Sequence, residues 1–219
     1  MLPHIAHPSV LLGILLAALG LVLHDVAQVL ALRALGLPGP LRQGRLRPEA
    51  QRWFDVYGVV GLLLTGLGWL KPVEVNVFRP SQRRRAALGL AAGPVVLLVM
   101  AVVWTALAEA LPASSGDFSR TLLISAGFYS TALFVLSCIP VPPLLDGGRI
   151  LFLLAPRSHG WMQAEYTLVE RNVGTVIAMA LVLAPLLLPP LDVVEHLAVP
   201  LFNALFNGLG TSAPTLTVT

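Results

Sequence analysis

Charge is scarce in this sequence: Asp, Glu, Lys and Arg make up 11% of 219 residues, while 56% are apolar and the mean hydropathy is +0.82. A soluble core of this length does not need so much apolar surface, so the composition excludes an ordinary water-soluble domain and points to lipid as the solvent. A single cysteine, Cys138, excludes an internal disulfide, and its apolar neighbours make it a small packed side chain. No basic n-region opens the chain (MLPHIAHPSV) and no small-residue cleavage site ends the apolar stretch behind it, so this stretch is expected to be a structural span rather than a leader. Internal repeats and low-complexity tracts are absent. The net charge of +3 does not argue for a nucleic-acid partner, because the basic residues sit in loops between apolar segments.

Those segments predict an all-α polytopic membrane protein, with membrane lipids as its first partners. Stretches able to cross a hydrocarbon core of about 30 Å run over 9–35, 84–111, 120–138 continuing past a break to 155, and 172–190, which gives four expected crossings. Residues 56–70 (VYGVVGLLLTGLGWL) are too short and Gly-rich for a full span and suit a re-entrant segment. Asp192, Glu195 and His196 interrupt the apolar run 191–209, which reads as an interfacial helix. The alternation in PVEVNVF (72–78) reads as a short edge strand at the membrane surface. One membrane-embedded domain over 1–210 and a flexible polar tail over 211–219 follow.

Charge tests the layout. If 56–70 enters and leaves by one face, Arg33, Arg42, Arg45, Arg47, Arg52, Lys71, Arg79, Arg83, Arg84, Arg85, Arg149, Arg157 and Arg171 share a side, and only Arg120 of the 14 basic residues lies opposite. The positive-inside rule then expects cytoplasmic basic loops and both termini on the other side.

Two constellations carry chemistry. His24 and Asp25 lie deep in the first span, where an ionisable group costs roughly 2.5–3.5 kcal/mol, so a bundle-facing site is the default reading. Gln28 follows His24 by one helical turn and shares its face, while Asp25 sits about 100° around. This is the geometry of H-E-x-x-H, in which two histidines hold zinc and the glutamate handles the proton of zinc-bound water. A buried His–Asp pair made for packing would produce the same string. The second constellation runs from Ser137 through Pro140, Pro142 and Pro143 to Asp146, Gly147, Gly148 and Arg149. Its prolines open the backbone, which at membrane depth is tolerated only against protein or a wet cavity. The alternative is a proline kink with an Asp cap on the next helix.

Taken with GRL at 44–46, Asp55, Gly58, GWLKPVEVN at 68–76 and AGP at 92–94, these segments resemble the site-2 proteases, intramembrane zinc metalloproteases, and their compact prokaryotic branch most of all. The resemblance implies a membrane-embedded helical core, a prokaryotic cell membrane and a zinc cofactor. It also implies His24 and Asp146 as metal ligands, with Gln28 where the second histidine belongs and Asp25 where the catalytic glutamate belongs. Ser137 stands for an asparagine, with Pro140 and Pro142 in the substrate-positioning segment, and Leu97 stands for a second asparagine.

Those departures fall on the chemistry and spare the fold. Two good ligands are fewer than the three that a catalytic zinc takes, and a neutral amide is a weak third. Asp25 is one methylene shorter than a glutamate, and misplacement by about 1 Å can cost on the order of 100-fold in rate. His4, His7, His159 and His196 lie too far along the chain to help. The expectation is a pseudoprotease that binds transmembrane segments of other proteins. Its rival is an active zinc endopeptidase using His24, Asp146 and either Gln28 or Asp25. A small transporter or channel built on the buried polar residues is the third reading, and it lacks repeat symmetry.

Overall fold

The computed structural model describes residues 7–47, 49–77, 79–112, 116–188 and 191–208. Helix α1 (Pro8–Ala34) starts on a proline, whose fixed φ suits the first turn. It stops where Gly36 takes φ +80°, a conformation that favours glycine. The short turns α2 (Gly39–Arg42) and α3 (Ala50–Trp53) lead to α4 (Val56–Thr65). Helices α5 (Pro80–Ala110) and α6 (Asp117–Cys138) follow, then α7 (Asp146–Leu154) and α8 (His159–Glu165), which runs on through a π turn at Tyr166–Glu170. Helices α9 (Val173–Leu187) and α10 (Val193–Gly208) complete the described fold.

The chain is thus an all-helical polytopic membrane protein. Three helices, α1, α5 and α6, are long and apolar enough to cross a bilayer. The expected fourth crossing is shorter than its sequence suggests: α9 has 15 residues, about 22 Å at 1.5 Å each. It makes a span only together with His159–Glu170, from which it is bent by 63°.

The re-entrant reading of 56–70 agrees with the geometry. Asp55 caps α4 by accepting from the Gly58 amide at 2.9 Å, and Gly66 reverses the chain with φ +77°. Residues 67–70 return alongside, Trp69 Nε1 donates to Asp55 at 3.1 Å, and an antiparallel bridge joins Phe54 to Leu70. The hairpin therefore begins and ends at one place.

One expectation is corrected. No strand forms over 72–77, and Phe78 lies outside the described residues; among them the Phe54–Leu70 bridge is the one isolated β pairing. A strand needs a ladder partner, whereas here arginine side chains, not a second strand, take the carbonyls of Lys71 and Val73. The run 191–208 forms a helix with one face on the bundle: Val194, Ala198, Phe202 and Phe206, spaced by four, bury one face of α10, and Phe202 stacks edge-on against Phe128 of α6. Its acidic start is a cap, with Asp192 accepting from the Glu195 amide at 2.8 Å. The polar tail 211–219 and His4 lie outside the described residues.

The apolar core has two parts. One gathers Ile14, Ala17 and Leu21 of α1 with Leu97 of α5 and Leu133 and Leu136 of α6; the other gathers Val29 and Leu32 of α1 with Ala86 and Leu90 of α5 and Val73. Between them, at residues 24–28 of α1 and Gly93 of α5, lies a polar layer.

Candidate functional site

A polar layer survives between two apolar clusters only if its groups satisfy one another. Helix α1 supplies His24, Asp25 and Gln28, all buried, and the first turn of α7 supplies buried Asp146. The approach of α5 depends on a missing side chain: a Cβ on Gly93 would stand 2.4 Å from His24 Nε2 and 2.6 Å from Gln28 Nε2. Gly93→Ala is therefore expected to cost about 1–3 kcal/mol of stability through overpacking, read as earlier unfolding in detergent. Asp146 reaches the site because Gly147 and Gly148 let α7 pack onto the loop before it; Cβ atoms there would meet Cys138 O at 2.0 Å and Pro142 N at 2.2 Å.

His24 Nε2 lies 2.6 Å from Asp146 Oδ2, and His24 Nδ1 lies 3.2 Å from Asp25 Oδ1. An ionised carboxylate only accepts, so both ring nitrogens face acceptors. Arg45 donates through Nη2 to Asp25 Oδ2 and to the Lys71 carbonyl, while its guanidinium stacks 5.4 Å from the centre of the Trp53 ring. Arg149 donates through Nη1 to Asp146 Oδ1 at 3.1 Å and through Nη2 to the Val73 carbonyl. Gln28 Nε2 donates to Leu90 O at 3.0 Å, which orients the amide and leaves its N–H side 3.5 Å from His24 Nε2. Gln28 Oε1 is buried without a hydrogen-bond partner. The cavity beside these groups measures about 30 Å³ and is roofed by Gly68, Trp69, Leu70 and Pro72. That is room for a water or two, not for a peptide.

The structure brings together His24, Asp25, Gln28 and Asp146, as the sequence predicts. Ser137 lines the same cavity, but its hydroxyl donates back to Phe134 O at 2.7 Å. Pro140 is exposed, and Pro142 is buried on the wall of a separate cavity of about 350 Å³ with Val75, Phe152 and Trp161. Leu97 packs in the apolar cluster below the site. The sequence reading placed Arg45 and Arg149 among loop charges, whereas both reach into the site. The spacing D-G-G-R was a usable signal for Arg149, since residues three apart meet on a helix. Nothing local marks Arg45, which pairs across 20 residues of chain.

As a ligand set for zinc these residues do not fit. Among the described residues no three His, Cys, Asp or Glu side chains come together so as to hold a metal ion. Two ligands of one tetrahedral zinc, each about 2.0 Å from the ion, stand about 3.3 Å apart; His24 Nε2 and Asp146 Oδ2 are closer and bonded to each other. The third position presents amide hydrogens, and one orphan amide oxygen does not replace an imidazole.

Fold and site together define a polytopic helical membrane protein with a cluster of buried ionisable groups, His24, Asp25, Arg45 and Asp146, between the two parts of its core. It is similar to a protein of Bacillus subtilis (strain 168) named "Putative zinc metalloprotease YwhC", with 29% identity over an alignment of 200 residues that covers 85% of this chain and 89% of that relative. No family model and no solved structure matches the chain.

Proposed function

We propose that this chain is a site-2-protease-like membrane protein of a prokaryotic cell membrane that no longer hydrolyses peptide bonds and instead holds transmembrane segments of other proteins. Near-full-length similarity to a protein named as a zinc metalloprotease supports the descent. The donor set carries the loss of activity: His24 and Asp146 are two good ligands, and the third position holds a neutral amide tied to α5. Asp25, at the position of the catalytic glutamate, has one oxygen on His24 and the other on Arg45, and these two donors make it a weaker base towards a water proton. Gln28, at the position of the second histidine, is bonded to α5. The basic loops are assigned to the cytoplasm, and both termini to the opposite side.

For the retained binding role, α1 carries a stripe of exposed leucines, Leu11, Leu15, Leu19 and Leu23, at helical spacing. A stripe of that kind suits lipid or a neighbouring helix.

Metal analysis and a cleavage assay test this reading together. The purified protein should contain far less than one zinc per chain and leave a reconstituted helical membrane substrate intact. One zinc per chain with cleavage of that substrate would restore the active-protease reading.

A further inference from the structure

Two arginines enter the site from different directions, and each does two things. Arg45 binds Asp25 and the carbonyl of Lys71; Arg149 binds Asp146 and the carbonyl of Val73. Their side chains are 10% and 14% exposed, and those of the two aspartates 4% and 6%. The carbonyls belong to the segment 71–77, which continues from the roof over the site and, past the Lys71 amide bonded to the Trp53 carbonyl at 2.9 Å, forms no ladder. Arginine suits this task because its planar fork offers several donors at once.

We propose that Arg45 and Arg149 are the permanent counter-cations of this site and act as a latch that shuts its roof. The inference rests on the metal-free reading above. Two carboxylates already face two guanidiniums, so a divalent ion entering this layer would add uncompensated charge to a buried region. The same guanidiniums reach past the carboxylates to the roof. Charge at the floor of the site and closure of its roof are thereby coupled: the arginines hold the carbonyls of Lys71 and Val73 down, together with the Lys71 amide bond to Trp53 and the packing of Val73. Trp69, Leu70 and Pro72, which line the cavity together with His24, adjoin this segment. A partner helix therefore meets a closed roof and docks elsewhere on the bundle, and access to His24 requires both arginines to release.

Val73 offers a direct readout, because it is fully buried and next to the latched carbonyl. With Cys138→Ser as background, a Val73→Cys chain in detergent should react slowly with a soluble maleimide. Arg45→Gln and Arg149→Gln should each speed that labelling at least tenfold. A Leu97→Cys control in α5, fully buried in the other apolar cluster, should stay unlabelled. If a glutamine variant labels at Leu97→Cys as well, the bundle has opened, and Arg45→Lys and Arg149→Lys decide. Lysine keeps the charge but lacks the fork, so labelling at Val73→Cys should still rise while the control stays silent. Unchanged labelling of Val73→Cys in the arginine variants that keep the bundle closed would overturn the latch. Zinc content of the unmodified chain is measured separately, so a metal-free protein with a freely labelled Val73→Cys refutes the latch alone, and one zinc per chain refutes the reading beneath it.

Discussion

Asp146→Ala should lower the stability of the folded chain by about 3–5 kcal/mol, the range for breaking a buried ion pair by removing one partner. The cost does not come from the small volume lost. It arises because Arg149, 14% exposed, keeps its charge with no counter-ion, and because His24 Nε2 loses its acceptor at 2.6 Å. The surface pair Glu49–Arg52 provides the comparison: its side chains are 52% and 37% exposed, so Glu49→Ala should cost less than about 1 kcal/mol. Replacing both members of the buried pair, Asp146→Leu with Arg149→Met, should recover much of the loss, since a matched apolar pair leaves no uncompensated charge. Unfolding by graded denaturing detergent, followed by helical circular dichroism, measures all three. Equal costs for Asp146→Ala and Glu49→Ala would refute a buried ionic cluster.

Restoring Gln28→His together with Asp25→Glu should raise zinc occupancy from far below one ion per chain towards one. A histidine at position 28 lies one helical turn beyond His24 on the same face, and the present amide nitrogen is already 3.5 Å from His24 Nε2. A second imidazole supplies the strong third ligand that an amide cannot. The opposing force is the positive charge of Arg149, which sits on the other oxygen of Asp146. Adding Arg149→Met to the pair should therefore raise occupancy further. Metal analysis after dialysis against buffered zinc gives the number. No gain in either variant would mean that the pocket has been remodelled beyond positions 25 and 28.

How much of this was legible in the sequence differs from residue to residue. His24 and Asp25 were visible because an ionisable pair in a long apolar run is costly and demands a partner. Gln28 was visible because α-helical spacing fixes which residues share a face. The hairpin at 56–70 showed through its length and glycines, and Gly66 does reverse the chain. The strand over 72–78 failed because alternation describes a chain that would pair if a partner lay beside it, and here arginines supply the donors instead. In the run 191–209 the helix was legible, whereas the role of Asp192 as its cap was not, because a cap looks like an interruption of an apolar pattern.

By itself the sequence determined the solvent, the three long helices and their rough extent, and the four polar residues that could not face lipid, because hydrophobicity and helical period act over neighbouring residues and are written locally. The tertiary structure decided what those polar residues do. Arg45 and Asp25, or Arg149 and Val73, meet only once the bundle has closed, and no local pattern encodes a meeting across 20 or 76 residues. Whether His24 offers an electron pair to an ion or a proton to Asp146 depends on that meeting, since in a medium of low dielectric each buried charge is governed by its nearest opposite.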